Sequence, residues 1–108
     1  MRKQRIELSD SDLALAAECL GILAHKDRLR LIDILLVAQH SVGELAELCG
    51  LPQSVTSDHL RLMQRCGFLS SSRQGKFVFY SVIEPHLKEI LGCIRKRFAG
   101  GTGDDARN

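Results

Sequence analysis

The sequence predicts a single, mainly α-helical domain of about five helices carrying one small two-stranded β-hairpin. Three observations predict it. Apolar residues recur at helical spacing through most of residues 10–98. The pattern turns rich in β-formers only after Gly67. Glycine or proline stands at the joints, at Gly50, Pro52, Gly67, Gly75 and Pro85.

The first helix is expected at about 10–24, capped by Ser9 or Ser11, with Leu13, Ala16, Ala17, Leu20, Leu23 and Ala24 on one face. A second, about 26–37, is apolar around most of its circumference (Leu29, Leu31, Ile32, Ile34, Leu35, Leu36, Val37) and so belongs at the centre. Ser41-Val42-Gly43-Glu44 has the form of a capping box, in which serine hydroxyl and glutamate carboxylate each satisfy a free backbone N–H. A third helix starts there, with core face Val42, Leu45, Ala46 and Cys49, and ends at Gly50. Pro52 suits a turn or the first position of a fourth helix, 53–66, with Val55, Leu62 and Cys66 near one line and Leu60 and Met63 beside it. Phe68–Ser72 and Phe77–Val82 form the hairpin around Arg73-Gln74-Gly75-Lys76. Pro85 opens a last helix, about 85–98, with the stripe Leu87, Ile90, Leu91, Ile94 and Phe98.

At 108 residues and 44% hydrophobic content the chain holds one modest core, and a partner subunit would add buried area, as a homodimer does. Residues 9–98 form the domain. Residues 1–8 and 99–108 are expected as flexible tails, having no apolar period. The formal charge of +2 identifies no partner, because binding depends on where the charges lie. No apolar run approaches the ~20 residues that cross a bilayer, and Met1-Arg2-Lys3-Gln4-Arg5 leads into polar sequence, so a cytoplasmic protein with no membrane partner is expected. The four cysteines lack C-x-x-C spacing, and reduced thiols are the default. A Gly-rich phosphate loop, an H-E-x-x-H run and a coherent nucleophile–base pair are all missing from the sequence, which speaks against an enzyme.

Two short helices joined by Gly50-Leu51-Pro52, the second followed at once by a basic-tipped hairpin, is the order of a winged helix-turn-helix. The fourth helix opens with Gln53, Ser54, Thr56 and Ser57, small hydrogen-bonding groups at an end where free N–H groups also favour phosphate. Such an end can enter a major groove, with Arg61 one turn further along for the backbone. Arg73 and Lys76 at the hairpin tip suit flanking phosphates or the minor groove. The alternatives are a surface helix rich in capping residues, or the same fold used as a protein-interaction module.

Nearly the whole stretch from about 13 to 98 resembles the ArsR/SmtB family of bacterial repressors. Leu23-Ala24-His25-Lys26-Asp27-Arg28-Leu29-Arg30-Leu31 is similar to that family's "L-[AS]-[HD]-P-x-R-L-x-[IL]" segment, with Lys26 in place of proline. Val42-Gly43-Glu44-Leu45-Ala46 resembles the supporting helix. Leu51-Pro52-Gln53-Ser54-Val55-Thr56-Ser57-Asp58-His59-Leu60 resembles the recognition helix, and Gly75-Lys76-Phe77-Val78-Phe79-Tyr80 the wing strand. The resemblance implies a repressor dimerised through its first and last helices, bound to double-stranded operator DNA, and released by an inducer. It carries DNA contact to Gln53, Ser54, Ser57 and His59, with Arg73 and Lys76 on the wing. Val55-Thr56 reverses the family's usual small-then-apolar order, and Asp58 sets a carboxylate where it would repel phosphate yet accept from a cytosine amino group.

Known sensor layouts of the family fail residue by residue. The supporting-helix thiolate positions hold Ser41 and Gly43. Glu84 and His86 resemble half of a zinc site whose other half falls on Arg97 and Gly100. The sulfide-responsive cysteine pair is replaced by Asp33 and Ala99. Cys19, His86 and Cys93 remain as candidates for a soft-metal or thiol-redox site, meeting at a dimer interface built by the first and last helices. The alternative is a repressor with no metal site. Cys49 and Cys66 read as structural, and His25 and His40 as surface or capping residues.

Overall fold

The structure, a computed structural model, describes residues 7–99. Helix α1 (Asp10–Leu23) starts from Ser9, whose Oγ accepts from the Asp12 N–H at 3.1 Å while the Asp12 carboxylate accepts from the Ser9 N–H. Helix α2 (Lys26–Leu35) is capped by His25, whose Nδ1 accepts from the Asp27 N–H at 3.2 Å. The Ser41–Glu44 capping box forms as expected and opens α3 (Val42–Cys49), which Gly50 closes in the left-handed conformation at φ 65°. Helix α4 (Gln53–Arg65) follows Pro52 directly.

Strands β2 (Leu69–Gln74) and β3 (Phe77–Val82) form the expected antiparallel hairpin, with Gly75 at φ 65° in its tight turn. A two-residue strand, β1 (His40–Ser41), also pairs with β3, His40 opposite Tyr80 and Ser41 opposite Phe79. The sheet order is therefore β1-β3-β2. Two residues have no period to read, so this strand carries no sequence signal, yet it fastens the start of α3 to the hairpin. Helix α5 (Leu87–Ile94) runs into a π-helical turn, Arg95–Ala99, and two guanidinium nitrogens of Arg95 lie 3.0 and 3.2 Å from one Asp33 oxygen on α2. Of the expected tails, residues 1–6 and 100–108 lie outside the described residues, and Ala99 is helical.

The core centres on Leu31, Ile32 and Leu35 of α2, packed with Leu45 of α3, Leu60 and Met63 of α4, Leu69, Tyr80, Leu87 and Leu91. All four residues expected on the α3 core face are buried. On α4 the expectation is corrected. Its buried line is Thr56, Leu60 and Met63, while Val55 is exposed and Leu62 and Cys66 are half-buried. The reason is that α4 packs on α3 and β2 through positions i, i+4 and i+7 from Thr56. A threonine fits that line because its hydroxyl is satisfied locally, donating to the Pro52 carbonyl at 3.0 Å.

Helix α1 departs further. Of its apolar stripe only Leu23 is buried, while Leu13 and Leu20 remain 50% and 56% exposed. It rests on α2 and α4, and among the described residues its Leu13, Leu15 and Leu20 stay exposed. No helix among the described residues is long and apolar enough to cross a membrane.

Candidate nucleic-acid interface

The first turn of α4 has no side-chain cap, because the capping position is occupied by Pro52. Its leading N–H groups are left to an outside acceptor, and the helix dipole makes an anion a favourable one. Gln53 and Ser54 are exposed at that end, and Ser57 lies one turn on from Gln53 along the same side. Together with the opening of α3 and residues Lys76–Phe79 of β3, they line a groove of about 750 Å³. Pairing of β1 with β3 sets the two walls of this groove at a defined spacing. Gln53 Oε1 lies beside Gly43, 3.9 Å from where a Cβ would stand, which brings the amide against the opening of α3. Glu44, the acid in this groove, has its carboxylate occupied by the Ser41 N–H at 2.9 Å.

Asp58 does not stand alone. Arg61 lies 2.6 Å from its carboxylate and also donates to the Ser57 hydroxyl at 2.8 Å. Both partners are exposed, so the pair is worth little to stability, and its importance is electrostatic: the guanidinium offsets the carboxylate. Arg73 and Lys76 are exposed on the hairpin, with Lys76 Nζ 5.7 Å from the Phe77 ring centre.

Of the residues expected to contact DNA, Thr56 is corrected and His59 has one ring nitrogen engaged within the protein. Thr56 is fully buried and its hydroxyl is bonded to Pro52, so it supports α4 and presents nothing to a groove. His59 lies about 200° around the helix from Ser57. It turns toward α2, where its Nδ1 accepts from Arg28 Nε at 3.1 Å and its ring centre is 4.7 Å from that of His25. Burial first, then the Arg28 and His25 charges, hold the His59 pKa below the ordinary 6.5, so the ring stays neutral.

His25, Asp27 and His59 bring candidate ligand atoms within 4.8 Å of one another. Their hydrogen bonds do not fit a metal centre. The Nδ1 lone pair of each ring is engaged, by the Asp27 N–H and by Arg28 Nε, which leaves the ring protons on the Nε2 atoms. A cation would have to displace both bonds beside a guanidinium. The cluster is a joint between the start of α2 and α4, and His25 has the capping role expected of it.

The sensor candidates are not brought together as a ligand cluster among the described residues. His86 is exposed and held by Glu84, its Nδ1 2.8 Å from the carboxylate, which raises its pKa. Cys93 is exposed on α5. Cys19 is half-buried on α1, and Cys66 is half-buried at the end of α4, where burial raises its pKa.

Two short helices around a tight turn, an uncapped polar end on the second, and a basic hairpin beside it define a winged helix-turn-helix regulator. The chain belongs to the arsR family of bacterial regulatory proteins, whose description matches residues 25–71. It is 36% identical over 86 residues to Rv0081 of Mycobacterium tuberculosis, an uncharacterized HTH-type transcriptional regulator, covering 79% of this chain and 75% of that one. The crystal structure of Rv0081 superposes with a TM-score of 0.75 at 34% identity, over 86% of this chain and 94% of that one. The structure of HlyU from Vibrio cholerae, a transcriptional activator, matches with a TM-score of 0.75 at 27% identity, over 84% and 99% of the two chains. The transcriptional repressor SmtB of Mycobacterium tuberculosis is 32% identical over 76 residues, 70% of this chain and 56% of its own length. These relatives are transcriptional regulators, not enzymes.

Proposed function

We propose that the protein is a cytoplasmic, homodimeric transcriptional repressor that binds double-stranded operator DNA. The observation that carries this reading is the groove in which Gln53, Ser54 and Ser57 face Lys76 across the uncapped start of α4. Gln53 reads a base edge, with adenine its best partner, and the serines bond bases or phosphates. Arg61, Arg73 and Lys76 contact the backbone or flanking minor groove, Thr56 supports α4 from within, and His59 ties α4 to Arg28 of α2. The dimer forms through the free apolar side of α1, Leu13 and Leu20, together with the last helix, where Phe98 is 72% exposed. Two recognition helices related by a two-fold axis then meet a palindromic site. Repression follows from occupying a promoter, which needs no surface beyond those named; the activator among the relatives makes the sign of regulation part of the test.

The experiment is selection of bound duplexes from a randomised pool, followed by affinity measurements over a range of salt and transcription from a template carrying the selected site. Repressor action predicts fewer transcripts as protein is added, and loss of duplex binding on Gln53→Ala with Ser57→Ala. A protein-interaction module would tolerate both substitutions and enrich no duplex.

A further inference from the structure

We infer that the cleft between the start of α2 and α4 is a second seat for DNA backbone phosphate, held by Arg28 and Arg65 on the flank of α4 away from the wing. This contact rests on the DNA-binding reading. The cleft has a volume of about 510 Å³, with Val55 and Leu62 as its apolar floor and the guanidiniums of Arg28, Arg61 and Arg65 around it. Its carboxylate, Asp58, is held by Arg61 at 2.6 Å, which leaves the charges of Arg28 and Arg65 uncompensated. Arg28 donates through Nε to His59 and through Nη1 to the Ile22 carbonyl, and its Nη2 has no partner among the described residues. Arg65 is exposed and forms no ion pair among the described residues. His59 also lines the cleft, and its neutral ring neither adds to nor offsets this charge.

The position of the cleft on α4 fits this partner. Leu62 lies about 140° around the helix from Ser57, and Val55 about 160°. The groove of Gln53, Ser57 and Lys76 and the cleft of Arg28 and Arg65 therefore flank the exposed face of α4 from its two sides. A helix seated in a major groove about 12 Å wide lies between two phosphate backbones. Lys76 reaches the backbone on the wing side, and the second backbone falls to Arg28 and Arg65. Guanidinium suits phosphate because its N–H donors are charged and fixed in one plane. Val55, 39% exposed, and Leu62 offer deoxyribose carbons an apolar surface between them. From Val55 to Arg65 the cleft follows α4 for about 15 Å, a length suited to a run of backbone rather than to one small anion. A phosphate held on each side fixes the roll of α4 in the groove without reading sequence itself.

The test measures duplex affinity of the full chain over a salt series. Arg65→Gln is expected to weaken binding several-fold and evenly across sequences, to reduce the salt slope by about one, and to leave the melting temperature unchanged. Arg65→Lys should restore the slope, because it returns the charge. Duplexes in which one phosphate at a time is replaced by a neutral methylphosphonate should bind the wild type less tightly at positions on both sides of the major groove. Arg65→Gln should lose that penalty at a position on the side away from the wing. Equal affinity and slope in wild type and Arg65→Gln, or penalties confined to the wing side, overturn the assignment. A lowered melting temperature in Arg65→Gln with a slope that Arg65→Lys does not restore marks Arg65 as a support of α4 and overturns it too. So does inorganic phosphate binding at the cleft while Arg65→Gln leaves duplex affinity intact, the mark of a small-anion site. A wild type that binds no duplex at any salt overturns the DNA-binding reading and this contact with it, whereas a wild type and Arg65→Gln that bind alike overturn the contact alone.

Discussion

Arg28 Nε donates to His59 Nδ1 at 3.1 Å, and Nη1 of the same guanidinium donates to the Ile22 carbonyl at 3.0 Å. One side chain at the start of α2 thus holds both the last turn of α1 and the middle of α4. The joint ties α4 to α1 and α2 beside the apolar core.

Removing the guanidinium leaves a half-buried carbonyl and a half-buried imidazole without their donor. Arg28→Ala is expected to lower stability by about 1.5–3 kcal/mol, as for hydrogen bonds to a charged group. The urea midpoint checks it. Arg28→Lys should recover only part of the loss, because an ammonium cannot present two spaced N–H donors in one plane.

The neutral state of His59 gives stability a pH dependence of known sign. Its folded pKa lies below the 6.5 of an unperturbed histidine, so the unfolded chain binds more protons in the window between the two. Stability contributed by this residue is therefore full above 6.5 and declines as pH falls through the folded pKa. His59→Gln retains an acceptor for Arg28 without titrating. Its denaturation midpoint should fall less between neutral and mildly acid pH than that of the wild type, and equal slopes would contradict the assignment.

Thr56 and Ser57 are neighbours with opposite duties. Thr56→Val removes a buried hydroxyl and leaves its shape, and is expected to cost about 0.5–1.5 kcal/mol while leaving duplex preference unchanged. Ser57→Ala should have the reverse profile, near-neutral in thermal melting and altered in binding. A change of base preference in Thr56→Val would show that α4 is placed differently.

Asp58 and Arg61 form an exposed pair, so Asp58→Asn should change stability by less than about 1 kcal/mol. With the carboxylate gone and Arg61 released toward phosphate, duplex affinity should rise several-fold at low salt. Lys76→Ala is expected to weaken binding evenly across sequences and to reduce the salt slope by about one. Affinities measured over a salt series decide both.

The uncovered side of α1 is the place to break a dimer. Leu13→Glu with Leu20→Glu sets two charges on positions that are already half-exposed in the protomer, so the fold should survive. Analytical ultracentrifugation should show monomer in place of dimer, with duplex affinity lost in parallel. A variant that remained dimeric would place the interface elsewhere.

Much of the fold was legible in local pattern. The Ser41–Glu44 capping box, the left-handed Gly50 and the Gly75 turn are decided by residues three or fewer positions apart, and each formed where its sequence placed it. Helix periods of about 3.6 gave the order of elements, and that order carried the winged helix-turn-helix. The exposed Gln53, Ser54, Arg73 and Lys76 also stand where the local pattern set them.

What the sequence alone did not decide is which side of a helix meets which neighbour. Val55 and Thr56 differ by one position and about 100° of rotation, and only the packing of α4 on α3 and β2 chose threonine for the interior. His59 was claimed by Arg28, a residue 31 positions away. The physical reason is that hydrogen-bond caps and turns are satisfied within a few residues, whereas a side chain's burial, charge partner and reactivity are set by the element packed against it. The sequence by itself determined the elements, their order and the class of regulator they build; the tertiary structure alone decided which polar residues face the groove and which serve as struts.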